Sequence, residues 1–376
     1  MDLGFTEEQE MLRKAAREFL AEKFPKTLVR KMEDDPLGFH PEVWKQMAEL
    51  GWLGLIIPEE YGGSGSRFMD LFVLLEEMGR ACLVAPFFST AMCTLFLLDV
   101  ASTEQRQRLL PQIAKGKLIL SLALTEPSGS YEAKGISTRA HPEGNSYLIN
   151  GIKLFVHDAQ VANYLICVTR TDEFCPPERG ITNFLVDAKS PGITITPLPT
   201  IADDKQTEIT FENVKVPAEN MLGKLNEGWP PIARLVERAA IAKCAEMIGG
   251  ADWTLENTIA YAKTRIQYGR PIGSFQVLQH YLADVWTEVN HVKRLVYYAA
   301  FLLDQGLPCS KEVAMAKAMM NDVYQRCTHF GVRIHGGIGT TRDHDMGLYY
   351  RRAKQAAVLF GSSEFWREKL ASELGF

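Results

Sequence analysis

Several residues in this chain are of types, and at spacings, that do chemistry. His335-Gly336-Gly337-Ile338-Gly339 sets three glycines close together, and a backbone without Cβ lets its N–H groups approach a phosphate closely. Arg265 and Gln276, in Arg265-Ile-Gln-Tyr268-Gly-Arg-Pro-Ile and Phe275-Gln276, suit phosphate and adenine contacts. Leu124 and Thr125 end an apolar run, where the Thr125 side chain and the backbone after it can donate hydrogen bonds to a planar ligand edge. Phe155 offers an aromatic face, and His157 an imidazole that donates or shuttles a proton. Read singly, each has a plainer role: Phe155 as sheet core, Arg265 as a surface ion-pair residue, His157 as a satisfied strand histidine.

Other chemistries are poorly served. Asp343, His344 and Asp345 are adjacent and cannot all face one ion from a helix, so no metal site is expected. There is no Gly-x-Ser-x-Gly nucleophile elbow. The glycine group at 336–339 is not a dinucleotide fingerprint of the βαβ kind, because a helix precedes it. The seven cysteines lack zinc-site spacing and favour reduced thiols in a cytoplasmic setting. The first ten residues have no signal-peptide pattern. Net charge is −5, which implies no general attraction to nucleic acid. The apolar stretch Ala81–Ala101 carries Pro86, Ser89, Thr90, Thr94 and Asp99 and reads as a buried helical segment rather than a membrane span.

The elements that must position these residues fall into three regions, giving an α+β fold that is mainly α. Residues 1–117 read as an N-terminal helical domain. Thr6 and Gln9 form a capping box, Met11, Leu12, Ala15, Phe19 and Leu20 recur at helical spacing, and a further helix starts near Pro41 and ends before Gly51. Residues 118–222 read as a middle antiparallel β-barrel, with Asn150-Gly151 as its strongest hairpin signal. Residues 223–376 read as a C-terminal four-helix bundle with helices at 230–263, 274–305, 309–334 and 346–370.

In this order, Pro58-Glu-Glu-Tyr-Gly-Gly63, Thr125-Glu126-Pro127, Gly151-Ile-Lys-Leu-Phe-Val-His157, Arg265-Ile-Gln-Tyr268 with Phe275-Gln276, and His335-Gly-Gly-Ile-Gly339 resemble the acyl-CoA dehydrogenase family, over residues 3 to 372. The resemblance implies FAD as cofactor. It implies flavin contacts from Leu124, Thr125, Ser130, Phe155, His157, Arg265, Tyr268, Gln276, Arg333, Gly336, Gly337 and Gly339, with the Arg265 and glycine motifs reaching the flavin of a neighbouring subunit. Ser130, Arg238, Phe360 and Gly361 are the implied acyl-CoA contacts, although the loop Glu126-Pro-Ser-Gly-Ser130 is one residue shorter than the family's. Electron-transferring flavoprotein is the implied redox partner, and the chain is expected in a homo- or hetero-oligomer.

The resemblance fails at the catalytic base. Relatives carry a Glu several residues after an Arg-x-Ala-Lys segment. Counting from Arg351-Arg-Ala-Lys354 puts Phe360 there, before Gly361-Ser362. Relatives that keep the base on the first bundle helix would have it at Ala239, followed by Ala240; Glu237 lies two residues upstream and is a candidate displaced base. Phe155-Val-His157 replaces a Trp-x-Thr/Ser, and Arg333 replaces a glutamine. The sequence therefore leads to an acyl-CoA oxidoreductase, as the base-lacking subunit of a heteromeric enzyme. Alternatives are a homo-oligomer with another acid/base, such as His157 or Glu237, and a non-catalytic flavoprotein scaffold.

Overall fold

The computed structural model describes residues 4–376. Helices take up 56% of the chain, so the mainly helical α+β expectation holds. The chain divides into two compact units: one holds the chain up to Arg30 with Phe68–Leu83 and Ala239–Phe376, the other Lys31–Arg67 with Val84–Arg238. Helices α2 (Lys26–Asp34) and α7 (Trp229–Thr264) each contribute residues to both.

In the first unit, α1 (Glu7–Lys23) begins at the expected capping box, with Gln9 N donating to Thr6 Oγ1 over 3.2 Å. It packs on α4 (Phe68–Ala81), which buries every residue from Leu71 to Met78 and so is covered on all sides there. Helix α4 meets the later part of α7 at glycines. A Cβ on Gly79 would lie 2.0 Å from Glu246 O, and one on Gly249 would lie 1.8 Å from Glu76 O. The two backbones touch there, and alanine at either position would force them apart. Helices α8 (Gln276–Asp304) and α9 (Ser310–His335) follow, each within a few residues of its expected span.

The last expected helix, 346–370, is two helices: α10 (Met346–Ala356) and α11 (Ser363–Leu374). The break has local causes. Phe360 and Gly361 take φ of +56° and +105°, outside any helix, and the Ser362 hydroxyl then caps α11 by accepting from Phe365 N at 3.2 Å. The expected four-helix bundle is thus a set of five helices, and its break falls on the residues expected to face substrate.

The second unit carries α3 (Pro41–Glu49), α5 (Phe87–Val100), α6 (Thr103–Ala114) and the strands β1 (Leu120–Ala123), β2 (Arg139–Glu143), β3 (Ser146–His157), β4 (Tyr164–Arg170), β5 (Ile181–Asp187), β6 (Ile193–Leu198), β7 (Gln206–Pro217) and β8 (Met221–Leu222). The hydrogen-bonded order β6-β7-β3-β2-β4-β5-β8, with β1 on β4, is open at both ends. The strands therefore do not close into the expected antiparallel barrel. β1 and β2 also run parallel to β4, because each reaches it through a crossover rather than a hairpin.

Asn150-Gly151 is not a hairpin turn either. β3 passes straight through it, with a register shift against β7 between Ile149 and Gly151. The Asn150 side chain accepts from Asn213 N at 2.8 Å and donates to Asn213 Oδ1 at 3.1 Å, and a Cβ on Gly151 would lie 2.7 Å from Thr138 Cα. The pair makes a β-bulge under a close backbone approach. The turn between β2 and β3 lies at Gly144, where φ is +59°. The seven cysteines are free thiols, and among the described residues no helix is long and apolar enough to cross a membrane.

Candidate active site

In the second unit the end of β1 is held by a buried ion pair. Lys153 of β3 and Glu126 are 0% and 1% exposed, and Lys153 Nζ lies 2.7 Å from Glu126 Oε1. The ammonium also donates to Leu124 O at 3.1 Å. Glu126 accepts from Ser137 N at 2.7 Å, from the Ser137 hydroxyl and from Thr138 N at 3.0 Å. Burial by itself pushes the Glu126 carboxyl up, but Lys153 and these donors outweigh it and hold the group below the usual carboxylate range. Leu154 N donates to Thr125 O at 2.8 Å. The backbone of Leu124 and Thr125 is therefore fixed from both sides, as a preorganised donor site requires.

Just beyond Lys153 the β3–β7 register shifts again, between Lys153 and Val156. This bulge holds Phe155 at φ +56° with 47% of its surface exposed. A bulky residue in the left-handed region is an outlier, and bulges of this kind re-aim side chains beside functional sites. Val156 points inward at 1% exposure. His157 follows, with Nε2 3.4 Å from Asp204 Oδ2. That contact lacks hydrogen-bond geometry; Asp204 accepts instead from Thr200 Oγ1 at 2.5 Å and Gln206 Nε2 at 2.6 Å. Burial pushes the Asp204 carboxyl up, and His157, Thr200 and Gln206 more than reverse this, leaving it well below the usual range. The structure thus brings Leu124, Thr125, Phe155 and His157 onto neighbouring ends of β1 and β3.

Ser130 lies in a turn closed by Gly129 N donating to Glu126 O at 2.8 Å, and its own hydroxyl accepts from Glu132 N at 3.1 Å. Arg238, expected to meet substrate, is paired through Nη1 with Asp99 Oδ2 at 2.7 Å. Ala239 and Ala240 are fully buried, while the preceding Glu237 is half-buried.

In the first unit, Arg265 follows α7 and accepts from Ile272 N at 2.8 Å. This bond closes a two-stranded hairpin of β9 (Ile266–Gln267) and β10 (Arg270–Pro271). Tyr268 and Gly269 turn it with φ of +52° and +78°, and Tyr268 is 92% exposed. Arg265 and Gln276, the first residue of α8, are also exposed. Arg333 lies 5.4 Å over the Tyr281 ring, so its guanidinium has an aromatic partner within its own unit. The glycines differ among themselves. Gly336 and Gly337 are exposed and open, with nothing within 4 Å of an added Cβ, whereas a Cβ on Gly339 would lie 2.8 Å from His335 Cβ. The first two are available to a ligand, and the third serves packing.

The segment bearing Phe360 is tied down by buried groups. Trp366 Nε1 donates to Phe360 O at 2.9 Å, and Asn321 Nδ2 to Gly361 O at 3.2 Å. Lys317, 0% exposed, donates to Asn321 Oδ1 at 2.6 Å and Ala356 O at 2.8 Å. Burial pushes the Lys317 ammonium down to about 8. A Cβ on Gly361 would lie 2.4 Å from Trp366 Nε1, so only glycine fits beside Phe360. Sequence reading missed Lys153, Asp204, Lys317 and Asn321. Lys153 left a faint signal, as a cation in a strand facing the glutamate of Thr125-Glu126-Pro127; the others left none.

A fixed strand end with an exposed aromatic on a bulge in the second unit, and, taken separately, open glycines with an exposed arginine in the first, are each features of a kind that flavin-binding proteins use. This is the equipment of a flavin-linked oxidoreductase. Family models of the acyl-CoA dehydrogenase N-terminal, middle and C-terminal domains match residues 6–117, 121–214 and 226–375. The chain belongs to the acyl-CoA dehydrogenase family, whose members are FAD-dependent oxidoreductases. It is 33% identical to the 3-(aryl)acrylate reductase of Clostridium sporogenes, over 98% of this chain and 99% of that protein. It is 32% identical to the caffeyl-CoA reductase-Etf complex subunit CarC of Acetobacterium woodii, over 96% of each. It also resembles a chain of the ChsE4-ChsE5 complex from Mycobacterium tuberculosis, with a TM-score of 0.91 and 26% identity over 100% of this chain and 99% of that one.

The exposed Arg265 gives a direct check on cofactor retention. If Arg265 meets a flavin phosphate, Arg265→Ala removes a charge-assisted contact and is expected to weaken FAD binding roughly 10- to 100-fold. Flavin absorbance retained after gel filtration at low protein concentration measures it, and unchanged retention would remove Arg265 from the site.

Proposed function

We propose that this chain is the base-lacking subunit of a heteromeric acyl-CoA oxidoreductase. It binds FAD and a CoA thioester, exchanges electrons with an electron-transferring flavoprotein, and works beside a base-containing paralogue in the cytoplasm. The observation that carries the reading is Phe360. Its phenyl ring stands at the position counted for the family's catalytic Glu, on a segment held by Trp366, Asn321 and Lys317. A ring with no lone pair accepts no α-proton, so the general-base part of the reaction must come from elsewhere. Phenylalanine keeps the backbone N–H of residue 360, so in this reading thioester binding does not depend on the missing carboxylate.

The likeness to a chain of the ChsE4-ChsE5 complex supports a mixed oligomer, and the likeness to a reductase-Etf complex subunit supports the electron partner. In this reading 1–117, 118–222 and 223–376 act as the helical, flavin-edge and bundle domains, the open sheet of the middle one serving as a wall. Leu124, Thr125, Phe155 and His157 face the isoalloxazine. Arg265, Tyr268, Gln276, Gly336 and Gly337 serve the dinucleotide of a neighbouring subunit, and Ser130, Arg238 and Gly361 line the acyl-CoA path.

A second reading is a complete homo-oligomer working in the reducing direction, with His157 in place of the usual acid/base. The His157–Asp204 pair and the two reductase relatives favour it. Activity assays separate the two. The heteromer reading expects a yellow protein inert toward saturated acyl-CoA until a second chain is added. The homo-oligomer reading expects the chain alone to reduce an enoyl-CoA. Both require His157 at the flavin's reactive edge, where His157→Thr is expected to shift the bound flavin's spectrum and midpoint potential. A variant with neither changed would make His157 an ordinary strand residue.

A further inference from the structure

We infer that Asp204 is a positioning residue for His157: its carboxylate, 3.4 Å from Nε2, favours the ring with its hydrogen on Nε2, and so presents Nδ1 as the nitrogen available to the flavin. The inference rests on the reading that places His157 at the flavin's reactive edge, and it adds a partner that no motif of the chain marks.

The geometry is confined to one corner of the sheet. His157 is the last residue of β3 and pairs across the ladder with Gln206 of β7. Asp204 lies two residues before Gln206 and is 9% exposed. Its carboxylate is approached by the Thr200 hydroxyl on Oδ1, and by the Gln206 amide and His157 Nε2 on Oδ2. The backbone is fixed as well. Asp158 N donates to Lys205 O at 2.9 Å, Thr207 Oγ1 to Val156 O at 3.0 Å, and the Ser121 hydroxyl to His157 O. Neither partner is on a loose arm.

An ionised carboxylate only accepts hydrogen bonds. His157 Nε2 lies 3.4 Å from it without hydrogen-bond geometry, and at that distance the negative charge repels a ring lone pair and attracts an N–H. That favours the neutral tautomer with its proton on Nε2 and leaves the variable site at Nδ1, which is a lone pair in one charge state and an N–H in the other. A hydroxyl residue, which the family carries at this position, needs no such partner. An imidazole does, because the wrong tautomer presents the wrong polarity to its ligand. The plainer alternative is that Asp204 merely anchors the loop 199–206 to the sheet.

The test uses the flavin-loaded protein labelled with [15N]histidine, with His157 assigned by its loss in His157→Thr. In the neutral ring, the wild type is expected to show a protonated Nε2 and an unprotonated Nδ1. Asp204→Glu should keep that pattern, and Asp204→Asn should move it toward a mixture of tautomers. The bound flavin's two-electron potential is the second readout. Asp204→Asn is expected to change the reduced-to-oxidised ratio at fixed potential about tenfold, which is about 30 mV, with Asp204→Glu restoring most of it. A wild-type ring protonated on Nδ1, or an Asp204→Asn protein with unchanged 15N pattern and potential, overturns the inference. If His157→Thr moves the potential while Asp204→Asn does not, the positioning role falls and the flavin placement of His157 stands. If neither moves it, the flavin placement falls too.

Discussion

Phe360→Glu is expected to convert a chain that binds saturated acyl-CoA without reacting into one that bleaches its flavin with it. The substitution restores a carboxylate in register beside Gly361, on a backbone already held at φ +56° by contacts to Phe360 O and Gly361 O. Those contacts are made by main-chain atoms and survive the exchange. General-base catalysis contributes about 10²- to 10⁴-fold, and that is the gain expected in the single-turnover rate of flavin reduction under anaerobic stopped flow. The cost is a charge in a half-buried position, which lowers stability unless solvent or substrate reaches it. Thermal unfolding of the same variant shows whether a null result reflects chemistry or a damaged fold. A folded, flavin-loaded Phe360→Glu protein with no gain would place the missing base somewhere other than residue 360.

The second large effect is structural. Lys153→Met removes one partner of a fully buried ion pair and strands Glu126, with an expected loss of about 3–5 kcal/mol in unfolding free energy. The double variant Lys153→Met with Glu126→Gln leaves no charge stranded and should recover part of that loss; recovery is partial because the single amide oxygen can replace only one of the two carboxylate oxygens that accept from Ser137 and from Thr138. Chemical denaturation of the three proteins measures this. A single variant as stable as the wild type would mean that the pair does not fix the strand end. The pH dependence follows from the depressed Glu126 carboxyl. Its contribution is complete above the ordinary glutamate value of about 4.3, and is lost as pH falls through the lower folded value. The wild type's advantage over the double variant should therefore shrink in acid.

What the sequence showed and hid follows from the range of each interaction. The capping box at Thr6, the glycine ending α3 and the period of α7, α8 and α9 are local, and all were legible. The split between α10 and α11 was missed because the apolar run through Phe360 continues a helical pattern, and nothing but Gly361 marks the left-handed pair. Asn150-Gly151 misled because its turn chemistry is equally good for a bulge, and only the distant Asn213 decides which forms. The change to a strand period in the middle region was legible, but β2, β8 and the open order of the sheet were not, since hydrogen-bonded neighbours far apart in sequence leave no periodic signal.

At the site, the motif residues were legible by family pattern and their supports were not. Phe155 and His157 sit where β3 was expected to place them, yet the bulge that exposes Phe155 depends on the pairing with β7. Lys153 reads as one more charged residue until Glu126 is seen against it. Asp204 is far from His157 in sequence and reaches it only because β3 and β7 are neighbours. The Phe360 reading rests on the sequence alone, by counting forward from Arg351-Arg-Ala-Lys354.

Anaerobic titration of the purified, partner-free, FAD-loaded chain with saturated acyl-CoA, followed by flavin absorbance, tests the central claim most directly. The account predicts a shift of the flavin bands that saturates as the thioester binds, with no bleaching. Bleaching by a saturated acyl-CoA in the chain alone, at a rate that Phe360→Glu does not improve, would contradict it.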